Sequence, residues 1–188
     1  MNSLLVSHLL NSGQIAVIPT DTVYGVVAGA SDQEAVARLY KLKHREAKPG
    51  TLIAANIDQL TNLGIDYRHL KPVEKLWPAA VSVVVPCDES LFYIHQGVNS
   101  LAVRIPDSEH LRELLSFTGP LITSSANQPG QPPATTIDEA RAYFGDKVEW
   151  YEDGGVVNRD ASTVIEINNG RAQILRQGAF NLKDLDEL

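Results

Sequence analysis

Three short segments carry side chains suited to chemistry. Pro19-Thr20-Asp21-Thr22-Val23-Tyr24-Gly25 follows the apolar run Ile15-Ala16-Val17-Ile18. A buried strand therefore delivers two threonines, an aspartate and a tyrosine into a turn. Lys43-His44-Arg45, with Lys48 close behind, forms a compact cationic cluster. Ser124-Ser125-Ala126-Asn127 follows another apolar stretch, Leu121-Ile122. Hydroxyls at the mouth of a sheet beside clustered cations predict a pocket for a small polar molecule next to a phosphate.

Each feature also has a plainer reading. Residues 38–48 hold Arg38, Lys41, Lys43, Arg45 and Lys48 against one acid, Glu46, in a chain of net charge −7. That excess suits a phosphate site, and it equally suits a solvated helix end whose cations favour the C-terminal dipole. Arg104 lies inside the strand-like run Leu101-Ala102-Val103-Arg104-Ile105. Alternation puts Ala102 and Arg104 on one face. There the guanidinium either meets water or grips a carboxylate through two parallel hydrogen bonds. Thr20, Thr22, Thr123, Ser124, Ser125 and Ser162 stand at or near strand ends. Singly such hydroxyls tie off turns; together they would line a polar pocket. Arg176 ends a strand just before Gly178 and either reaches a phosphate or makes a surface ion pair. The five histidines show no metal-ligand spacing, and no serine has an evident His–acid pair.

The elements that must position these residues alternate. Helices are expected over 3–12, from the Ser31-Asp32-Gln33-Glu34 cap to Leu42, from Asn56 to Leu63, over 69–76 and over 108–116. One more runs from Thr136 to Phe144, with Glu139 completing a capping box. Strands are expected at 14–18, 26–29, 51–55, 81–85, 101–105 and 121–123, then near 148–151, 163–167 and 172–176. Residues 129–135, rich in Pro and Gly, form a loop, and the tail 180–188 is acidic and amphipathic. Several strands are adjacent in sequence, so an α/β fold with a mixed twisted sheet and flanking helices is predicted. Neither a G-x-G-x-x-G helix opening nor a G-x-x-x-x-G-K-[ST] loop occurs.

The 188 residues suit a single domain over 1–188, and 44% hydrophobic with 21% charged residues is ordinary globular composition. No apolar run reaches the roughly 18 residues of a membrane helix. No basic segment precedes an apolar N-terminal core, and the lone Cys87 rules out an internal disulfide. A reducing, cytoplasmic setting is expected. The acidic balance argues against nucleic acid as the main ligand.

Taken together, the motifs resemble those of the YrdC-like threonylcarbamoyl-AMP synthases, and closely those of their short bacterial type, TsaC. The matching segments are Pro19–Gly25, Lys43-His44-Arg45, Leu101–Pro106, Ser125-Ala126-Asn127, Ala161–Val164 and Ile174–Gly178, in the family order. The resemblance implies a YrdC-like sheet with a deep, positively lined cavity. It implies a nucleotidyltransferase that joins L-threonine, bicarbonate or CO2, and ATP into threonylcarbamoyl-AMP and pyrophosphate. Mg²⁺ would travel with the ATP. A separate transferase complex would move the product onto tRNA next to the anticodon. By motif, Thr22, Arg104, Thr123 and Ser162 would hold threonine, and Arg104 its carboxylate. Lys43 and Arg45 would act catalytically on the ATP phosphates. Lys48, Ser125, Asn127 and Arg176 would complete the nucleotide site. The segment Trp77-Pro78-Ala79-Ala80-Val81-Ser82 departs from the family's usual Trp-Pro-Gly-Pro-x-Thr, so a turn of different shape is expected there. Two other readings remain open at this stage. One is a double-stranded RNA or tRNA-binding, ribosome-maturation module using the same cavity. The other is a synthase of carbamoyl-adenylate from carbamoyl phosphate.

Overall fold

The computed structural model describes residues 3–168 and 170–181. In chain order it contains α1 (Ser3–Asn11), β1 (Ala16–Pro19), β2 (Tyr24–Gly29), α2 (Gln33–Leu42), β3 (Thr51–Ile53), α3 (Ile57–Leu63) and α4 (Tyr67–Leu70). There follow β4 (Val81–Pro86), α5 (Phe92–His95), β5 (Ser100–Arg104), α6 (Glu109–Thr118), β6 (Leu121–Ser125), α7 (Ile137–Phe144), β7 (Trp150–Tyr151), β8 (Thr163–Asn168) and β9 (Arg171–Arg176). The helix expected over 69–76 is instead the single turn α4 followed by a 3-10 helix, Lys71–Leu76. Pro72 lacks the N–H that an α-helix would need there, and Asp66, which caps α4 through Arg68 N–H, starts the turn earlier. The 3-10 turn Glu89–Leu91 and α5 have no counterpart in the sequence reading; each is a turn or less of helix, too short to show periodicity. Most of the amphipathic tail, 182–188, lies outside the described residues. Among the described residues no helix is long and apolar enough to cross a membrane.

The nine strands form one mixed sheet in the order β7-β1-β2-β6-β3-β5-β4-β8-β9. Pairs β1–β7, β3–β5 and β4–β8 are parallel, and the others antiparallel. Caps start the helices where the sequence places them. Asp32 accepts from Glu34 and Ala35 N–H, Asn56 from Gln59 N–H, Ser108 from Leu111 N–H and Thr136 from Glu139 N–H. The Glu139 carboxylate reaches back to Thr135 rather than to the cap residue itself.

The two faces of the sheet are unequal. Val26, Leu52, Val83, Val103, Ile122 and Ile165 point to the larger core, packed with Ala35, Val36, Leu39 and Tyr40 of α2, Leu60, Ile94 and Phe144. Ala16, Ile18, Val27, Ile53 and Leu121 point the other way, against Val6 and Leu10 of α1 and Leu111, Leu114 and Leu115 of α6. Each of these leucines, once buried, contributes about 1.5–3 kcal/mol. Two helices do not span nine strands, so the rest of the second face stays uncovered, and a different set of side chains emerges there.

One buried hydroxyl links helix and sheet. Tyr40 Oη donates to Ile94 O (2.8 Å) and accepts from Gly50 N–H (3.2 Å), ahead of β3. Replacing Tyr40 with Phe strands both backbone groups. The expected loss of folding stability is about 1–3 kcal/mol, read as a lower denaturant midpoint at unchanged m-value; no shift in midpoint would contradict this role.

Candidate functional site

Register determines what lies on the uncovered face. Thr51 pairs with Ala102 on one side and Thr123 on the other, Ala102 pairs with Val84, and Gly25 pairs with Ser125. Alternation keeps Arg104, across from Ile53, on the same face. Gly25, Thr51, Ala102, Arg104, Thr123 and Ser125 floor a cavity of about 370 Å³, whose walls are Thr20, Thr22, Val23, Arg45, Pro49, Ser124, Pro133, Ala161, Ser162, Val164 and Arg176. Glycine is required at the floor: a Cβ on Gly25 would stand 2.6 Å from Thr123 Oγ1. Among the described residues the lining holds three arginines and seven hydroxyl side chains, and no carboxylate. Among the described residues no three His, Cys, Asp or Glu side chains gather to bind a metal.

Arg104 is 3% exposed and lies 3.2 Å from Asp21, Nη2 to Oδ1. Its Nη1 approaches Thr22 Oγ1 at 3.4 Å, and its Nε–H has no partner among the described residues. Burial lowers the Arg104 pKa, Asp21 opposes that, and the nearby Arg176 charge adds to it. Asp21 is fixed from behind, where Oδ2 accepts from Asp107 N–H. Sequence reading quoted Asp21 within its motif but gave it no role. The signal was available: an arginine facing inward from a strand needs an anion.

Arg45 reaches the cavity on a stiff loop. His44 and Ala47 adopt left-handed φ values of 48° and 49°. Arg45 Nη1 donates to Lys48 O (3.0 Å) and Pro49 O (2.8 Å), while Gln96 Oε1 accepts from Ala47 N–H (2.8 Å). Gly50 closes the loop, because a Cβ there would lie 2.6 Å from Thr123 O. Burial lowers the Arg45 pKa, and Arg176 pushes the same way. Arg176 comes from β9 and donates through Nη2 to Ser162 O (2.8 Å) and Ser162 Oγ (3.2 Å). Ser162 Oγ also meets Ser82 Oγ at 3.0 Å. The departing segment 77–82 thus ends with a serine hydroxyl on the site, after a cis Trp77-Pro78 peptide.

Seven of the ten residues named from sequence line the cavity: Thr22, Arg45, Arg104, Thr123, Ser125, Ser162 and Arg176. Lys43, Lys48 and Asn127 do not. Lys43 is buried, and its ammonium donates to Ser125 O (2.8 Å), Asn127 Oδ1 (2.9 Å) and Asn127 O. Three acceptors occupy all three ammonium N–H bonds. Burial, and then the neighbouring Arg45, lowers the Lys43 pKa to about 8. Asn127 Oδ1 also accepts from Ser125 Oγ (2.8 Å), so Lys43 and Asn127 together pin the Ser-Ala-Asn turn from outside the lining. Lys48 is exposed and contributes only its carbonyl. Gly25 is quoted in its motif without a role, and Thr51, Pro49 and Pro133 have no place among the site residues of the sequence reading; all four join the lining through register and loop path rather than any side-chain pattern.

Tyr24 fastens the outer wall. Its Oη donates to Gly155 O and accepts from Gly154 N–H, both at 2.8 Å. The segment running on to Ala161 and Ser162 is thereby tied to the Pro19–Gly25 turn.

Among known proteins, the chain is 37% identical over 144 residues to threonylcarbamoyl-AMP synthase of Chromohalobacter salexigens, covering 74% of this chain and 78% of that protein. It is 32% identical over 182 residues to the enzyme of the same name from Vibrio parahaemolyticus, covering 92% and 97%. The crystal structure of P. abyssi Sua5 complexed with L-threonine superposes with a TM-score of 0.87 at 29% identity, over 98% of this chain and 56% of that longer one. The Sua5/YciO/YrdC family, described as "Telomere recombination", matches residues 8–178, and the chain belongs to that family.

Proposed function

We propose that this chain is an L-threonylcarbamoyladenylate synthase, which condenses L-threonine, bicarbonate or CO2, and ATP into threonylcarbamoyl-AMP and pyrophosphate. The observation that carries the reading is the convergence of Arg45, Arg104 and Arg176, from three distant stretches of chain, on one hydroxyl-lined cavity to which no described carboxylate contributes. Such a lining suits two anions held side by side.

In this reading the Arg104 guanidinium takes the threonine carboxylate, helped by the hydroxyls of Thr22, Thr123 and Ser162. Arg45 and Arg176 face the phosphates, with Ser125 nearby. The neutral threonine amine adds to CO2 and gives up a proton to water, forming a carbamate, and a carbamate oxygen attacks the α-phosphorus. The bond from that phosphorus to the oxygen bridging the β-phosphate breaks, and pyrophosphate departs with the electron pair. Charge moves toward the leaving group, where fixed guanidinium groups neutralise it without reorganising. Holding both reactants in one cavity removes much of the entropic barrier. No enzyme nucleophile enters, and a walled cavity protects a carbamate from water. Mg²⁺ belongs to the triphosphate in this scheme, because no described residue of the lining offers it a carboxylate. Lys43 acts through the turn it pins and through its charge. Lys48 has no direct ligand role, and Asn127 presents Ser125. The product passes to a transferase that acts on tRNA.

The decisive measurement is pyrophosphate release by the pure protein from ATP and bicarbonate, with and without L-threonine. Release that requires threonine is expected; release indifferent to threonine but dependent on carbamoyl phosphate would assign the chain to the other adenylate chemistry. Arg104→Lys keeps a cation for Asp21 but loses the planar fork. Its kcat/KM for threonine should fall by about 10²-fold or more, while the Kd for ATP changes by less than about threefold. Equal losses of both would refute the carboxylate role. Lys43 carries its charge below pH 8 and loses it above, since its pKa is lowered to about 8. Activity should therefore decline through an alkaline limb near that pH. Lys43→Arg, which stays protonated, should move the limb upward; an unmoved limb would free Lys43 of responsibility for it.

A further inference from the structure

The cavity contains three guanidinium groups and, on the reading above, receives two anions of unequal charge. Nothing in its lining alone tells a carboxylate which arginine to choose, since a phosphate would bind any of the three at least as well. The residues behind the lining break that equivalence. Arg45 gives its Nη1 hydrogen bonds to the backbone carbonyls of Lys48 and Pro49, and Arg176 donates to the backbone carbonyl and hydroxyl of Ser162. All of these acceptors are neutral, so both charges remain available to a ligand. Arg104 faces a carboxylate instead. Its side chain and that of Asp21 are 4% and 2% exposed, at 3.2 Å.

Asp21 cannot readily swing aside. Its Oδ2 accepts from Asp107 N–H, and its backbone carbonyl accepts from Arg159 Nη1, both at 3.2 Å. It does not line the cavity, and so it acts as a fixed negative charge behind Arg104. The cavity is thus divided into an end where Asp21 offsets the charge of Arg104 and an end of charge near +2, at Arg45 and Arg176. A multiply charged phosphate brought to Arg104 meets Asp21 across a poorly solvated gap, where repulsion is several times stronger than in water. A singly charged carboxylate suffers less.

We propose that Asp21 is a specificity-determining residue that keeps phosphate off Arg104 and so reserves that arginine for the carboxylate of the amino acid. The inference rests on the carboxylate role assigned to Arg104, and its test separates the two. L-Threonine is titrated calorimetrically into the protein, without ATP, in the absence and presence of saturating pyrophosphate. In the wild-type protein pyrophosphate should change the threonine Kd by less than about twofold. Asp21→Asn keeps the acceptor for Asp107 N–H and removes the charge; here pyrophosphate should raise the threonine Kd by about tenfold or more. A merely structural defect would weaken threonine equally with and without pyrophosphate. Competition already present in the wild type, or its absence in the variant, overturns the inference. Should Asp21→Asn fail to fold, the double variant Asp21→Asn/Arg104→Gln removes the pair together. Its pyrophosphate Kd should stay within about twofold of wild type, and a tenfold loss would mean phosphate already sits on Arg104. Failure of threonine to bind the wild-type protein at all would instead sink the carboxylate role itself.

Discussion

A guanidinium buried in the middle of a sheet is the constraint around which this molecule is arranged. Water cannot solvate Arg104, and such a charge costs several kcal/mol unless an anion meets it. Asp21 supplies that anion, and the demand reaches backward through the sequence. The turn after β1 must bring Asp21 to the face of β5, three strands beyond its own neighbour β2. Asp107, just past β5, must turn its N–H toward the same carboxylate. Truncating either member of the pair leaves the other buried and uncompensated, so structure and site share one interaction.

The second cation is held by a different device. Arg45 is carried by backbone in left-handed conformations that ordinary residues avoid, which requires outside support. Gln96, itself at φ 52°, provides it through Ala47 N–H, and Tyr40 provides it through Gly50 N–H. The loop is thus braced from α2 and from the turn after α5, on the face of the sheet away from the cavity. Charges held this way need not reorganise as a reaction proceeds, and that is where preorganised catalysis draws its advantage over water.

Some of this was legible from residues alone and some was not. The caps at Asp32, Asn56 and Thr136, and the alternation in β5, are local properties, and they correctly forecast where helices begin and which face Arg104 occupies. The mixed sheet followed from adjacent strands, but its order did not, because β3 lies between β5 and β6 through pairings remote in sequence. Lys43 shows the limit most clearly. A lysine two residues from an arginine, in a cationic cluster, looks like a second phosphate ligand; whether its N–H bonds are free depends on carbonyls more than eighty residues away. Thr51 was invisible for a related reason, since only its register with Ala102 and Thr123 makes it part of a floor.

The phosphate end of the cavity stands on the least supported part of the sheet. Arg176 belongs to β9, an edge strand whose six residues are all exposed and which, among the described residues, pairs only with β8. An edge strand has one neighbour to hold it, so its end would be expected to fray. A single buried hydroxyl opposes that. Thr163 Oγ1 accepts from Gly178 N–H (3.0 Å) and Phe180 N–H (3.1 Å) and donates to Phe180 O (2.7 Å). Ala179 N–H adds a bond to Ala161 O at 2.9 Å. Gly178 is the residue that allows this approach, because a Cβ there would collide with the backbone of Ala161 and Ser162. The chain leaving β9 is therefore clamped to the start of β8, and Arg176, two residues before the clamp, is set against Ser162. The motif around Ala161–Val164 and the one around Ile174–Gly178 thus work as two halves of one fastening, and the position of the outermost arginine depends on a threonine that never touches the cavity.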